Sequence, residues 1–255
     1  MYPSFSLVGD RAIRMTFARE MSEQINADIR RTFHELKNKE QYPYIEEMIP
    51  GYTTLTVFYD PLIVQGINQM KTELMKAQKT HKEEFLTYRK ITLPVLYGGD
   101  KGPDLSSVAD YHNLNEEEVI HRHTSREYLV YMMGFAPGFP YLGGMDEGIA
   151  TPRLKNPRRK VEQGSVGIAG KQTGVYSLTS PGGWQIIGRT PVSLFNKDEE
   201  VPSLLRSGDR LTFQSISQAE FDKIIHQDKK GIFEPRIEWK NDEGRKDDQD
   251  GEKKN

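Results

Sequence analysis

Apolar positions in the first third of the chain follow two periods. Residues 4–8 and 12–17 are short alternating runs around Gly9-Asp10, good turn chemistry, and read as a strand pair. Ile25, Ile29, Phe33 and Leu36 then recur at helical spacing behind Ser22, a natural N-cap. A second strand pair and helix follow, without an internal sequence repeat. Residues 44–50 and 53–59 form a second strand pair around Pro50-Gly51. Ile63, Ile67, Met70, Leu74 and Ala77 make a second helical stripe, which Asp60-Pro61 is expected to open. Residues 89–96 add a strand. This order predicts an α+β sandwich, helices on one face of an antiparallel-rich sheet, over residues 1–97.

The glycine- and proline-bearing turn at 98–103 is the expected joint between domains. Two short helices follow, 104–112 behind Asp104 and 115–121 behind Asn115 with Glu118. The second opens Glu116-Glu117-Glu118, the wrong charge to meet phosphate, so the pair reads as a packing hairpin rather than a DNA reader. From Tyr128 the pattern turns to short strands: 128–133, a hairpin of 165–170 with 173–179 about Lys171-Gln172, then 184–189, 191–195 and 211–213. Many short strands with Gly/Pro corners predict a barrel or sandwich. Ser217 and Glu220 cap a last helix, and this second domain is expected over 98–240. Residues 241–255 carry no apolar anchor and are expected to be disordered.

Composition narrows the classes. A net charge of −2 argues against an electrostatic nucleic-acid binder, and no apolar run approaches a membrane span. The chain has no cysteine, which excludes disulfides, thiolate metal sites and cysteine nucleophiles. The N-terminus lacks a signal-peptide pattern, so a cytoplasmic location is expected.

The candidate chemistry gathers between Tyr128 and Asn196. The loop from Gly134 to Gly144 holds four glycines and two prolines, yet carries Phe135, Phe139 and Tyr141. With Trp184 on a second glycine turn, these aromatics are expected to wall a groove for a ligand or partner, where the bland alternative is core filling. His123 precedes the strand and is a candidate for the same wall. Beside them lies a basic run whose Arg153 and Arg158, with Arg189 further on, suit a carboxylate or phosphate. No metal is expected: His121 and His123 lack a third ligand. Residues 164–172 resemble a phosphate loop only loosely, because Gln172 replaces the Ser or Thr that would meet magnesium.

On residues 134–142, Pro152-Arg153, Pro157-Arg158, 164–170 and 180–191 the chain resembles the allophanate hydrolase subunit 1 family, over about residues 4–225. The resemblance implies an N-terminal α+β domain and a cyclophilin-like β-barrel. It implies ATP-dependent conversion of 5-oxo-L-proline to L-glutamate together with subunits A and C of a 5-oxoprolinase, with ATP and Mg2+ held in the assembled complex and this chain inactive alone. A lactam is a poor electrophile, and activating its carbonyl oxygen needs cationic donors, a role open to Arg153, Arg158 and Arg189. The resemblance also implies an alternative: inhibition of a sporulation sensor histidine kinase by docking on its dimerisation and phosphotransfer domain. Prolyl isomerisation, suggested by a cyclophilin-like fold alone, is a weak third.

Overall fold

The computed structural model describes residues 3–64, 66–80, 87–228 and 233–241. The chain forms two compact units, Met1–Arg89 with Trp239–Asn255, and Lys90–Glu238.

The first unit is a four-stranded antiparallel sheet with two helices. Strands β1 (Ser4–Leu7), β2 (Ala12–Thr16), β3 (Ile45–Pro50) and β4 (Thr54–Tyr59) stand in the order β1-β2-β4-β3. Helix α1 (Glu23–Leu36) starts where its cap chemistry predicts, with the Ser22 hydroxyl accepting from the Ile25 N–H. Ile29 and Leu36 of α1 and Met70, Leu74 and Ala77 of α2 (Ile67–Lys79) share a core with Ile13, Met15, Leu55 and Val57 of the sheet. α2 begins six residues after the expected Pro61. The Asp60 carboxylate closes a local turn on the Leu62 N–H instead, and Gly66, at φ 90°, stands at the helix start.

The second unit is built on a closed seven-stranded barrel. Its strands are β5 (Thr87–Tyr97), β6 (Tyr128–Met133), β7 (Pro140–Gly143), β9 (Ser165–Ala169), β10 (Gln172–Val175), β12 (Gln185–Arg189) and β13 (Arg210–Ser215). The order β12-β9-β10-β7-β6-β13-β5 closes by pairing β5 with β12 at Tyr97 and Gly188. A Cβ on Gly188 would lie 2.7 Å from Val95 Cγ1, so the closing strand must carry glycine there. β13 runs parallel to β5, a pairing across more than a hundred residues. A separate ribbon pairs β8 (Arg158–Val161) with β11 (Ser180–Gly182), and β14 (Arg236–Asn241) borders β5. Helices α3 (Leu105–His112) and α4 (Glu116–Thr124) pack as a hairpin, and α5 (Gln218–Asp228) starts at a Ser217/Glu220 capping box.

The α+β class with a following barrel is therefore what the chain adopts. Three local expectations shift. The chain crosses between units inside β5 and β14, ahead of the 98–103 turn, because β5 runs unbroken into the barrel. The β9–β10 turn is Gly170-Lys171, with Gln172 already paired to Ala169. Residues 191–195 are not a strand: only Phe195 bridges, to Ser203. Asn241 ends β14, and residues 242–255 of the expected tail lie outside the described residues. Among the described residues no helix is long and apolar enough to cross a membrane.

Candidate functional site

The loop joining β6 to β7 is ordered by its own backbone. Gly134 N–H donates to Phe139 O (3.1 Å), Phe139 N–H donates to Ala136 O (3.0 Å), and the Ser177 hydroxyl donates to Pro137 O (2.6 Å). Gly138 sits at φ 75°, and a Cβ there would approach Phe195 Cβ to 2.7 Å. Phe135 also takes a left-handed backbone, φ 64°, which costs a non-glycine residue about 1–2 kcal/mol. The residue is 66% exposed.

Beneath Phe135 lies a small aromatic core. Phe139 is buried, and its ring meets Phe135 (5.4 Å), Tyr141 (5.1 Å), Tyr176 (5.6 Å) and Trp184 (5.6 Å) edge-on. The Arg153 guanidinium stands 5.8 Å from the Trp184 ring centre, a cation–π distance. Burial raises the Tyr176 phenol above its usual range, opposed by a hydrogen bond from the Trp184 backbone and by the charges of Arg153 and Arg158. Phe135, Tyr141 and Arg153 thus form one platform, and Trp184, expected in a groove wall, is buried beneath it with Phe139 and Tyr176 as core filling.

The other candidates are placed differently. Arg158 reaches Asp104: Nη2 lies 2.6 Å from Oδ1, while Asp104 Oδ2 accepts from the Ile186 N–H at 2.6 Å. Asp104 was expected to cap α3 but makes no such bond. It pins the β8–β11 ribbon to β12, and Arg158 is already neutralised by it. Arg189 lies at the far end of β12 from Trp184, five residues on and so about 16 Å at the strand rise of ~3.3 Å. Its Nε donates to Gln163 O at 2.8 Å. The three arginines therefore do not converge. His123 is fully buried, held between the Tyr97 and Thr173 hydroxyls at 2.8 Å each, and stacks on Phe213. It belongs to the barrel interior, not the groove wall, because it lies on the face of α4 packed against β13.

Residues 164–172 do not fit a triphosphate. They are the β9–β10 hairpin, whose backbone N–H groups serve the sheet, and Lys171 is paired with Glu147 at 2.7 Å. No group of three acids or histidines that could hold a metal ion occurs among the described residues. Sequence reasoning missed Tyr176 and Gln163. Tyr176 sits in an apolar alternation that reads as plain core, and Gln163 gives no signal short of the tertiary turn that opposes it to Arg189.

Residues 3–205 match the family described as carboxyltransferase domain, subdomain C and D. The chain is 45% identical over 224 residues to the B subunit of the Bacillus subtilis 5-oxoprolinase, covering 84% of this chain and 93% of that protein. A solved structure of a conserved uncharacterised Pyrococcus horikoshii protein is 43% identical, with a TM-score of 0.51, over 86% of this chain and all of that one. Kluyveromyces lactis urea amidolyase shares the fold over 93% of this chain, a 16% share of its own length, with a TM-score of 0.74 at 20% identity. The chain belongs to the carboxyltransferase domain, subdomain C and D family, and is a homologue of the 5-oxoprolinase B subunits.

Proposed function

We propose that this chain is the B subunit of an ATP-dependent 5-oxoprolinase, converting 5-oxo-L-proline to L-glutamate with subunits A and C in the cytoplasm. The observation that carries the reading is the 45% identity with a protein of that name across 93% of its length. A likeness that spans nearly all of the relative supports a shared role rather than a borrowed domain.

Within this reading the platform of Phe135, Tyr141 and Arg153 faces a partner subunit. A large aromatic held in the open on a strained backbone is the kind of anchor that interfaces bury, with an arginine beside it. ATP and Mg2+ belong to the assembled complex, since residues 164–172 do not form a triphosphate cradle. The kinase-docking alternative has only the sequence resemblance behind it.

The test is reconstitution. The purified chain alone should form no glutamate from 5-oxo-L-proline with ATP and magnesium. Adding subunits A and C should start ATP-dependent turnover, and Phe135→Ala should lower it by weakening assembly. No turnover in the complete mixture, or full turnover without this chain, would overturn the reading.

A further inference from the structure

We infer that a cavity of about 240 Å³ between the end of β12 and α5, lined by Arg189, Gln163, Ser193, Pro191, Val192 and Ile225, binds a small amide-bearing carboxylate. Its identity as 5-oxo-L-proline rests on the function proposed above. The cavity lies at the opposite end of β12 from Trp184.

The argument starts from Arg189. It is half-buried, and its Nε is committed to Gln163 O, which fixes the plane of the guanidinium. Its terminal nitrogens make no hydrogen bond to the described residues, and none of their carboxylates lies within ion-pair distance. The acid that feels its charge, Glu162, is exposed and held by Lys160 at 2.6 Å. A guanidinium that has lost part of its hydration without gaining a counter-ion is set to take an anion, and its flat fork suits a carboxylate.

The rest of the lining matches the remainder of a lactam acid. The Gln163 side-chain Nε2 donates to Ser193 Oγ at 3.3 Å, which leaves its carboxamide oxygen to accept from a ligand N–H. Pro191, Val192 and Ile225 offer apolar surface to ring methylenes. The wall is rigid: Thr190 N–H donates to Gly164 O at 2.9 Å, and a Cβ on Gly164, at φ 84°, would lie 2.4 Å from Thr190 O. Drug-sized ligands occupy about 300–1,000 Å³, so this space suits something smaller, not a nucleotide.

Calorimetric titration of the intact chain with 5-oxo-L-proline tests the assignment, with pyrrolidone as the probe lacking a carboxylate. Saturable one-to-one binding of 5-oxo-L-proline is expected, with pyrrolidone at least tenfold weaker. Arg189→Gln should weaken binding at least tenfold. Because Arg189 also braces the Gln163 turn, Ile225→Trp serves as a second variant that fills the cavity from α5 and leaves that bond intact. Lys171→Gln, on the β9–β10 turn, should bind as the parent does. Absence of saturable binding to the parent chain, or parent-like binding by both cavity variants, overturns the proposal. Turnover by the three-subunit assembly separates the two readings. If Arg189→Gln turns over with unchanged KM, the cavity assignment falls and the 5-oxoprolinase reading stands. If nothing turns over yet binding depends on Arg189, the cavity assignment stands and the enzyme reading falls.

Discussion

His123 Nδ1 lies 2.8 Å from the Tyr97 hydroxyl, inside the barrel. On the other side Nε2 meets Thr173 Oγ1, whose hydroxyl hydrogen is directed to Gly167 O at 3.0 Å. Thr173 therefore accepts from His123, so Nε2 carries the ring hydrogen and Nδ1 accepts from Tyr97. The tautomer is set by a chain of hydrogen bonds that ends on a backbone carbonyl. Burial without a carboxylate partner depresses the imidazole from 6.5 to about 3.

That depression makes stability depend on pH. The unfolded chain takes up this proton below about pH 6.5, whereas the native barrel refuses it until about pH 3. Stability should fall as pH drops through that window, by up to ~1.4 kcal/mol per pH unit from this group. Urea unfolding at a series of pH values should show the slope, and His123→Gln should flatten it. An unchanged slope in the variant would remove His123 as its source.

Phe135→Gly should stabilise the chain or leave it unchanged, because glycine relieves the left-handed backbone and little buried area is lost from an exposed ring. A gain of up to ~1 kcal/mol in thermal unfolding is expected. The same variant should lower turnover of the assembly. A clear loss of stability would show that the ring holds the loop together.

Asp104→Ala should cost about 3 kcal/mol, since it strips the Ile186 N–H and the Arg158 guanidinium of one shared acceptor. Arg158→Ala should cost less, because its side chain keeps access to water and Asp104 still holds Ile186. Denaturant midpoints of both variants check the order. The reverse order would make the arginine, not the acid, the brace between ribbon and barrel.

Gly182→Ala should destabilise by about 1–3 kcal/mol through overpacking: the new Cβ would lie 2.1 Å from the Tyr176 phenol oxygen. Tyr176→Phe in the same chain should recover part of the loss, and a double-mutant cycle measures the coupling. Independent, additive effects would place the two groups out of contact.

Much was legible from local pattern. The α1 stripe, the Ser22 and Asn115 caps, the Ser217/Glu220 box and the antiparallel hairpins depend on residues a few positions apart, and period and cap chemistry report such neighbours directly. The aromatics of the Gly134 loop also declared themselves, because glycine and proline leave few other uses for three large rings.

What the tertiary structure decided depends on distant partners. The parallel pairing of β5 with β13 and the closure of β5 on β12 join segments whose local patterns say nothing of each other. Asp104 stands before a helix and reads as its cap, but Arg158 and Ile186, reached only through the fold, offer its carboxylate better-placed donors. His123 has the same composition of neighbours as an exposed helix-end histidine, and only the packing of α4 against β13 buries it. The arginines of one basic motif set are parted because β12 is a stiff, extended strand. Residues close in sequence along a strand are held apart in space, while Arg189 and Gln163, distant in sequence, are brought to one cavity.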